Sequence, residues 1–357
     1  GTYNAEAALV GFTSASHEGV RVVMNATATV NFILAPAEFT EEMTVTGEAP
    51  LVDVSSSSMT ANMSSKFLRD LPTNRDYQDT MAATAGVTFV LENNPYHISA
   101  FGSDPHSNNW SVDGIEVSAP MQGGGWVSFN PDTIAEIQVM GIGAPVEFGN
   151  LQGAALNMVT RSGSNQLRAT LNAYWFNNTL VDSDIGFEES EFSEFEQVYP
   201  FRDLSATLSG AIKQDRLWYF AAYRDLQDGL ASPGQDPATL GQKSINTYDM
   251  KLSGRINDRN LLELRGGSQP YRWPLGVDVF TEPSAAGGEV IDATYWGLSY
   301  QSLFSDRTFL EARYAGFQSE WSFLSQTGST EAAYVDFSPP DGGPTRYFGG
   351  VWWPALA

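Results

Sequence analysis

Apolar and polar side chains alternate with a period of two along the second half of the chain, the pattern of amphipathic β-strands. Around Leu171 and Ala173, for example, one face is apolar, while Thr170 and Asn172 lie on the other. The segments that carry this pattern span residues 167–178, 202–212, 216–227, 246–256, 260–268, 292–304 and 308–318. Most are about 9 to 12 residues long, which is the length that a tilted strand needs to cross the hydrocarbon layer of a membrane.

The connections between these segments alternate between short and long. Tight turns occur at 213–215, 257–259 and 305–307, and long polar or Gly/Pro-rich connections occur at 179–201, 228–245, 269–291 and from 319 onward. Outer-membrane barrels produce this alternation, because their periplasmic turns are short and their extracellular loops are long. A soluble sandwich has no reason to segregate connection lengths by end, so the pattern favours a membrane barrel.

The first half of the chain has a different organisation. Residues 1–36 alternate as short strands that are too few for independent stability, so they are interpreted as the end of a larger β-sandwich. Residues 37–50 form an acidic linker, and residues 51–163 mix short helices and strands. Residues 164–357 contain the seven amphipathic strands. The predicted fold class is therefore mainly β: a partial β-sandwich, an α+β domain and about seven antiparallel strands of a transmembrane barrel.

Local signals place several elements within residues 51–163. Ser64 or Ser65 can cap a helix that runs to Leu71, and Asn74 can cap another that runs towards Gly86. Trp110–Val117 is predicted to form a hairpin with Asp-Gly in its turn. Asn130 and Pro131 supply a cap and a first-turn proline for a short helix around Ile134.

Composition limits the possible functions. Hydrophobic residues make up 42 % of the chain, but no apolar run approaches the roughly 18 residues of a membrane helix, so any membrane span must be β. Cysteine is absent, which excludes disulfides and thiolate chemistry. The net charge of −23 argues against nucleic acid or anionic lipid as the main partner.

Enzymatic chemistry finds little support. Of the three histidines, His97 and His106 flank Asp104 in a Gly/Asn/Pro-rich loop, and His17 lies far away in the sequence. Because no two ligands have helical or hairpin spacing, a solvated loop is favoured over a metal site. Ser162 lacks the surroundings of a nucleophile elbow. No catalytic residue, metal ligand or cofactor is therefore assigned, and the chain is not expected to be an enzyme.

A series of short motifs, in order along the chain, carries a family resemblance. They are Leu71–Asp79 with Ala85–Val87, Asn109–Gly114, Ile134–Val139, Glu147–Gly149 and Asn157–Gly163. Together they resemble the plug domain of TonB-dependent outer-membrane receptors, in the Oar-like branch that carries an N-terminal carboxypeptidase-regulatory-like domain. Ala85 departs from the proline that is usual there. The resemblance marks as plug-motif residues Asp113, Gly114, Glu147, Phe148, Gly149, Asn157, Thr160 and Gly163.

The resemblance assigns a role to each part of the chain. Residues 1–36 would end the carboxypeptidase-regulatory-like sandwich, 51–163 would be the plug, and 164–357 would be the first part of a barrel that has 22 strands in the family. The linker at 37–50 contains a segment that resembles the TonB box, through which an energy-coupling protein pulls on the receptor. This segment comprises Glu42, Met43, Thr44, Val45, Thr46 and Gly47. The alternative is that it forms the first strand of the plug.

The strand pattern also places charges and aromatic residues. Arg161, at the exit of the plug, is expected to pair with Glu263 or Glu311 on the inner face of the barrel, and the alternative is hydrated charge without specific pairing. Aromatic residues near strand ends are expected to form interfacial girdles. They are Trp175, Phe176, Trp218, Tyr219, Tyr271, Trp273, Tyr295 and Trp296.

The function implied by the resemblance is energy-coupled transport of an unidentified solute through the bacterial outer membrane. The plug and N-terminal domain would lie on the periplasmic side, and the partners would be a TonB-type coupling protein, outer-membrane lipid and an unknown extracellular ligand. Two alternatives remain, namely export or surface display of a protein and a structural adhesin without transport. An adhesin would need neither a coupling segment nor a plug.

Overall fold

The computed structural model describes residues 2–22, 28–36, 43–45, 60–71, 75, 81, 83–92, 94–118, 125, 127, 129–141, 143–144, 152–177, 200–230, 241–275, 287–305, 307–325, 334–336 and 346–348. Nearly all of these residues belong to strands or the turns between them. Within this part of the chain, no helix is long and apolar enough to span a bilayer.

The strands are numbered in chain order. The first ten are β1 (Thr2–Ala7), β2 (Ala15–Arg21), β3 (Met43–Val45), β4 (Thr60–Ser64), β5 (Val87–Glu92), β6 (Asn94–Ala100), β7 (Asn109–Val112), β8 (Ile115–Glu116), β9 (Ile134–Met140) and β10 (Ala155–Thr160). The others are β11 (Arg168–Phe176), β12 (Phe201–Lys213), β13 (Leu217–Leu230), β14 (Gly241–Asn257), β15 (Asn260–Leu275), β16 (Gly287–Ser305), β17 (Thr308–Ser325), β18 (Tyr334–Asp336) and β19 (Arg346–Phe348). Helix α1 spans Ser65–Asp70, and 3-10 helices span Pro105–Ser107 and Pro131–Thr133.

Strands β11–β17 form one antiparallel sheet in sequence order, which is called the wall below. Every predicted amphipathic segment corresponds to one of its seven strands, so this prediction is confirmed. The short links fall between β12 and β13, β14 and β15, and β16 and β17, again as predicted. The wall thus has one end with short turns and one end with long connections.

Four wall strands are longer than the sequence pattern predicts. Strands β14–β17 contain 17, 16, 19 and 18 residues, and the additional residues lie towards the long-connection end. Pro270 and Pro274 suggested a loop, yet they lie opposite Asp292 and Gly288 in the ladder. The ladder with β16 continues past both prolines to Leu275, and the ladder with β14 continues past Pro270 to Arg272, which outweighs the low strand propensity of proline.

The described residues between 60 and 160 form a second unit, called the central domain below. Its five-stranded mixed sheet has the order β4-β9-β10-β7-β8, with β10 and β7 parallel. The predicted helix is confirmed, since Ser64 caps α1 by accepting a hydrogen bond from the Phe67 amide at 3.4 Å. The predicted Asp-Gly hairpin is also confirmed, with positive φ angles at Asp113 (48°) and Gly114 (79°) that suit a two-residue turn. The Asn74 helix lies largely outside the described residues.

The short helix predicted around Ile134 begins and ends earlier. Asn130 accepts a hydrogen bond from the Asp132 amide and caps a 3-10 helix that ends at Thr133. Ile134 itself is the first residue of β9, which pairs with β10 and β4. Pairing on both sides of β9 explains why the chain changes from helix to strand at this residue.

A third, smaller sheet lies at the N-terminal end of the described chain. Strands β1 and β2 are antiparallel, and β3 adds to β2 in parallel, with Met43 opposite Ala15 and Val45 opposite His17. The segment expected to be extended within a linker is therefore a paired strand. Glu42, Thr46 and Gly47 lie outside the described residues.

The two faces of the wall differ sharply. One face packs on the central domain, whose buried core includes Trp110, Ile137 and Met158, and it contributes Ala293 and Tyr295 to that core. The opposite face exposes large apolar side chains, among them Leu171, Tyr248, Met250, Trp296 and Tyr314. We call the face towards the central domain the inner face. The outer face has the apolar character required for contact with lipid.

Candidate functional site: the interface between the central domain and the wall

A buried four-residue cluster, the Asp203 anchor, joins the central domain to the wall. Arg75 of the central domain donates hydrogen bonds to Asp132 Oδ2 at 2.7 Å and to Asp203 Oδ2, on β12, at 2.6 Å. Arg224, on β13, holds Asp203 through two hydrogen bonds of 2.9 Å, from Nε to Oδ1 and from Nη2 to Oδ2. The Ser205 hydroxyl donates to Asp132. Carboxylates and cations thus alternate along one chain of contacts, which runs from Asp132 and Arg75 in the central domain to Asp203 and Arg224 in the wall.

Burial makes this cluster costly to disrupt. Asp203 is fully buried, Arg224 is 2 % exposed and Asp132 is 4 % exposed. Burial raises the pKa of Asp132, but the Ser205 hydrogen bond and the Arg75 charge outweigh it, and the net result is a pKa below the ordinary value. Burial lowers the pKa of Arg75, but the carboxylates of Asp203 and Asp132 raise it by more than burial lowers it. The net pKa is therefore above the ordinary value, and the guanidinium is held in its charged form.

A second cluster, the Asp113 anchor, lies at the tip of the β7–β8 hairpin. Asp113 Oδ2 is 2.7 Å from Arg265 Nη1 and 3.3 Å from Lys251 Nζ, and both cations belong to the wall. Asp113 Oδ1 accepts from the Thr160 amide at 2.9 Å, and Oδ2 accepts from the Thr160 hydroxyl at 2.5 Å. Lys251 also donates to the Thr160 carbonyl at 3.2 Å. The hairpin carboxylate therefore joins β10 and two wall strands at a single point.

The two anchors lie at different heights along the wall. Arg224 is opposite Thr247 on β14, and Lys251 follows Thr247 by four residues on the same strand. Four residues of an extended strand span about 13 Å. The Asp203 anchor is therefore nearer the long-connection end, and the Asp113 anchor is nearer the short turns. Two separated attachment points fix the tilt of the central domain as well as its position.

A polar cavity of about 480 Å³ lies beside the Asp113 anchor. Besides that anchor's residues, it is lined by Glu116 of the hairpin and by Glu263, Glu311 and Arg313 of the wall. Arg313 Nη2 pairs with Glu311 Oε1 at 2.6 Å, and Glu263 Oε1 lies 3.8 Å from Lys251 Nζ. Hydrophilic lining on both sides means that water can enter this part of the interface when the domains separate.

Glycines allow the two domains to approach closely. A Cβ at Gly297, on β16, would lie 2.9 Å from Ile115 Cδ1 of the hairpin. A Cβ at Gly114 would lie 2.6 Å from Arg313 Nη1. A Cβ at Gly163, where the chain leaves the central domain, would overlap the Tyr219 carbonyl and lie 2.8 Å from the Tyr219 amide nitrogen on β13. Two plug-motif glycines, Gly114 and Gly163, thus have steric roles at the wall.

The expected pairing of Arg161 with Glu263 or Glu311 is not found among the ion pairs of the described residues. Burial and repulsion from Arg69 lower the pKa of Arg161, and the charge of Asp132 partly offsets them. Arg161 is therefore close enough to Asp132, of the Asp203 anchor, to be influenced by its charge. Glu263 and Glu311 lie at the cavity, where Lys251 and Arg313 are their cationic neighbours. Strand parity identified the inner-face charges, but it could not identify their partners.

The remaining plug-motif residues fall into two groups. Asn157 is buried within the central domain, where Ser111 donates a hydrogen bond to its Oδ1 at 3.1 Å. Glu147, Phe148 and Gly149 lie outside the described residues. Within the part of the chain that the structure describes, no group of three or more potential ligands could hold a metal ion.

The girdle prediction is wrong for five of the aromatic residues, which lie on the inner face. Two of them are Trp218, which has the same parity on β13 as Arg224, and Phe176, which is opposite Phe201 and so shares the face of Asp203. Tyr295 is 5 % exposed and lies in the core of the central domain, 6.2 Å from the ring of Phe129. Tyr271 and Trp273 have the same parity on β15 as Arg265, so they also lie on the inner face. Trp175 and Trp296 are on the exposed outer face, where a girdle residue belongs.

The comparisons with known proteins agree with this architecture. No family model matches the chain. The sequence is 27 % identical over 219 residues to the TonB-dependent transporter Oar of Myxococcus xanthus, a match that covers 59 % of this chain and 21 % of that protein. The chain therefore spans about a fifth of the length of this relative.

Solved structures share the fold at low sequence identity. The outer-membrane transporter YddB from Escherichia coli matches with a TM-score of 0.62 at 14 % identity, over 82 % of this chain and 43 % of that one. The alcaligin outer-membrane receptor FauA from Bordetella pertussis matches with a TM-score of 0.58 at 14 % identity, over 84 % and 43 % of the two chains. The sequence match and the shared fold together show that this chain is similar to the TonB-dependent transporter Oar in sequence and to outer-membrane transporters and receptors in fold.

Proposed function

We propose that the central domain is the plug of an energy-coupled transporter and that its polar interface with the wall is the gate for a solute. The observation that carries this proposal is the pair of charged anchors, Asp203 and Asp113, which both bridge the two domains. We further propose the division of the chain into sandwich, linker, plug and barrel segments at 1–36, 37–50, 51–163 and 164–357.

The chemistry of the anchors suits a reversible seal. Buried ion pairs contribute little net stability relative to an apolar contact, because their attraction is offset by the cost of removing both charges from water. When the plug moves, water can hydrate the separated charges, and the neighbouring cavity gives it access. An apolar interface of the same size would lose its full burial energy on opening. A structural adhesin has no need for such an interface.

The route by which force reaches the gate follows from the sheet order. Strand β3, the TonB-box-like segment, precedes β4 in the chain, and β4 is an edge strand of the plug sheet. Because β9 is the one strand that pairs with β4 in the described part of that sheet, tension on the linker acts first on a single row of backbone hydrogen bonds. We propose that a TonB-type protein binds Met43–Val45 by strand addition, a mode that depends on backbone N–H groups.

Replacing Val45 with proline tests this coupling. Proline removes a backbone donor, so the variant of the intact receptor is expected to bind its ligand at the cell surface with normal affinity and to lose energy-dependent uptake. Val45→Thr keeps the donor and the extended conformation, and it should transport normally. Surface binding and uptake are measured on the same cells.

Full energy-dependent uptake by Val45→Pro would contradict the coupling role and leave Met43–Val45 as an ordinary strand. Val45 lies in β3, which pairs with β2 in the N-terminal sheet, so a proline in β2 serves as a control for damage to that sheet. If proline acted only by disturbing that sheet, His17→Pro, directly opposite Val45, would abolish uptake to the same extent.

A further inference from the structure

A group of apolar side chains covers the inner face of the wall at its long-connection end. Two adjacent rows can be followed across the ladder. One row contains Ile245, Tyr271, Ile291 and Trp321, which lie opposite one another on β14–β17. The neighbouring row contains Trp273 and Phe323, separated by Glu289. We call these six apolar residues the aromatic patch.

Register establishes that the patch faces inwards. Tyr271 and Trp273 are separated by even numbers of residues from Arg265, which contacts Asp113, and Trp321 and Phe323 have the same relation to Arg313 at the cavity. No register shift interrupts these ladders between the compared residues. Successive strand residues alternate between faces, so all four aromatic residues lie on the inner face.

The patch lies beyond the plug contact. Tyr295 of β16 is in the plug core, and Ile291 is four residues nearer the long connections. The distance along the strand is about 13 Å. The four aromatic side chains are partly exposed, and none belongs to the core that the wall shares with the plug. The packing of the plug therefore does not explain them.

The charge around the patch favours a neutral ligand. Three charged side chains adjoin it on the inner face, the cation Lys243 and the carboxylates Asp228 and Glu289, so the patch has no surplus of positive charge to attract an anion. The Lys243 ammonium lies 5.0 Å from the centre of the Trp273 ring and 6.0 Å from that of Tyr271, so this cation already has one face of each ring as its partner. A chelate with a large negative charge would find no free cation among these residues, and the chain as a whole carries −23.

Hydroxyl groups adjoin the aromatic patch on the side of the plug. Thr247 follows Ile245 by two residues on the same face, and Ser319 precedes Trp321 by two. Among the described residues, Thr247 Oγ1 and Ser319 Oγ are buried without a hydrogen-bond partner, and Thr247 is 3 % exposed. Buried polar atoms normally have partners, so these hydroxyls are available to bond a polar molecule that descends from the patch.

We propose that the aromatic patch binds the pyranose rings of a neutral oligosaccharide at the extracellular side of the plug. A pyranose ring has a flat face of C–H groups, which carry partial positive charge and stack on the electron-rich face of an indole or phenol. Its hydroxyl groups extend from the ring edge. Thr247 and Ser319 would form hydrogen bonds with these groups as the plug moves. This inference rests on the proposed transport function, because it names the solute class.

Calorimetric titration of the purified intact receptor with a panel of neutral hexasaccharides tests the proposal. The panel contains maltohexaose, cellohexaose, xylohexaose and mannohexaose. At least one is expected to bind, and Trp273→Ala or Trp321→Ala should weaken its Kd by about 5- to 150-fold, the usual effect of losing one stacking platform. Trp273→Phe retains a ring and should lose much less. Trp296→Ala is the matched control, since this tryptophan of the same sheet is 42 % exposed on the outer face.

The proposal is overturned if no member of the panel binds, if both patch variants bind as tightly as the parent, or if Trp296→Ala weakens binding equally. Uptake measured in parallel separates this inference from the proposed function. A saccharide that binds through the patch but is not taken up would contradict transport alone. Energy-dependent uptake of another solute, without saccharide binding, would contradict the patch assignment alone.

Discussion

A receptor that carries Asp203→Ala is expected to have a plug that is less firmly held by about 3–5 kcal/mol. The substitution removes the carboxylate that lies between Arg75 and Arg224, and it leaves two guanidinium groups close together in a buried site. Separation of the plug from the wall then relieves their repulsion and restores their hydration. We expect a marked increase in the entry of small hydrophilic dyes into cells, together with a lower midpoint for thermal unfolding.

The ion pair between Arg272 and Asp292 provides the control for Asp203→Ala. Its atoms are 3.0 Å apart, but both side chains are about half exposed. An exposed pair of this kind contributes about 0–1 kcal/mol, so Asp292→Ala should leave both leak and unfolding almost unchanged. Equal leak from the two variants would mean that the Asp203 anchor does not hold the plug.

Gly163→Ala is expected to displace the segment that connects the plug to the wall. The added methyl group would overlap the main chain of Tyr219, and a backbone carbonyl cannot rotate away as a flexible side chain can. Overpacking of this kind costs about 1–3 kcal/mol. We therefore expect a receptor that reaches the membrane in reduced amount and melts earlier, as measured by heat-dependent gel mobility.

Gly254→Ala, at another glycine of the wall, is the control that distinguishes this steric overlap from the general effect of replacing glycine with alanine. A Cβ at Gly254, on β14, would lie 3.6 Å from Leu217 Cδ1 and 3.8 Å from the Leu262 carbonyl, which are ordinary contacts. Gly254→Ala should fold and melt like the parent receptor. Normal assembly of Gly163→Ala would show that the plug exit is not tightly packed against β13.

Features encoded locally could be predicted from the sequence. The seven wall strands follow from period-two alternation, and the β7–β8 turn follows from the preference of Asp-Gly for positive φ angles. The Ser64 cap follows from side-chain chemistry over three residues. Each of these signals acts over a few residues and is read without knowledge of the tertiary fold.

Partners across the interface could not be predicted, because they depend on how the plug sits against the wall. Arg75 and Asp203 are 128 residues apart, and nothing in either local sequence indicates the other. The parity of the strand residues placed Glu263 and Glu311 on the inner face. It could not show that their cationic neighbours are Lys251 and Arg313 and not the expected Arg161. The aromatic patch was missed because prolines in β15 suggested a loop, which hid the parity of Tyr271 and Trp273.

Controlled cross-linking of the plug hairpin to the wall tests the gate most directly. These 357 residues contain no cysteine, so an engineered pair introduces the only thiols in this part of the receptor. A Cβ at Gly297 would lie 3.4 Å from Ile115 Cγ1, the atom that a cysteine sulfur would replace, which suits a disulfide in Ile115→Cys/Gly297→Cys. A control bond within the wall joins the opposed residues of Tyr248→Cys/Ser268→Cys.

The measurement is energy-dependent uptake before and after reduction, with surface binding of the ligand recorded on the same cells. In the oxidised Ile115→Cys/Gly297→Cys receptor, we expect normal binding without uptake, and the reductant should restore uptake. The Tyr248→Cys/Ser268→Cys receptor should transport in both states. Normal uptake by a fully cross-linked hairpin would contradict the account, because the solute would then pass without separation of the plug from the wall at this point.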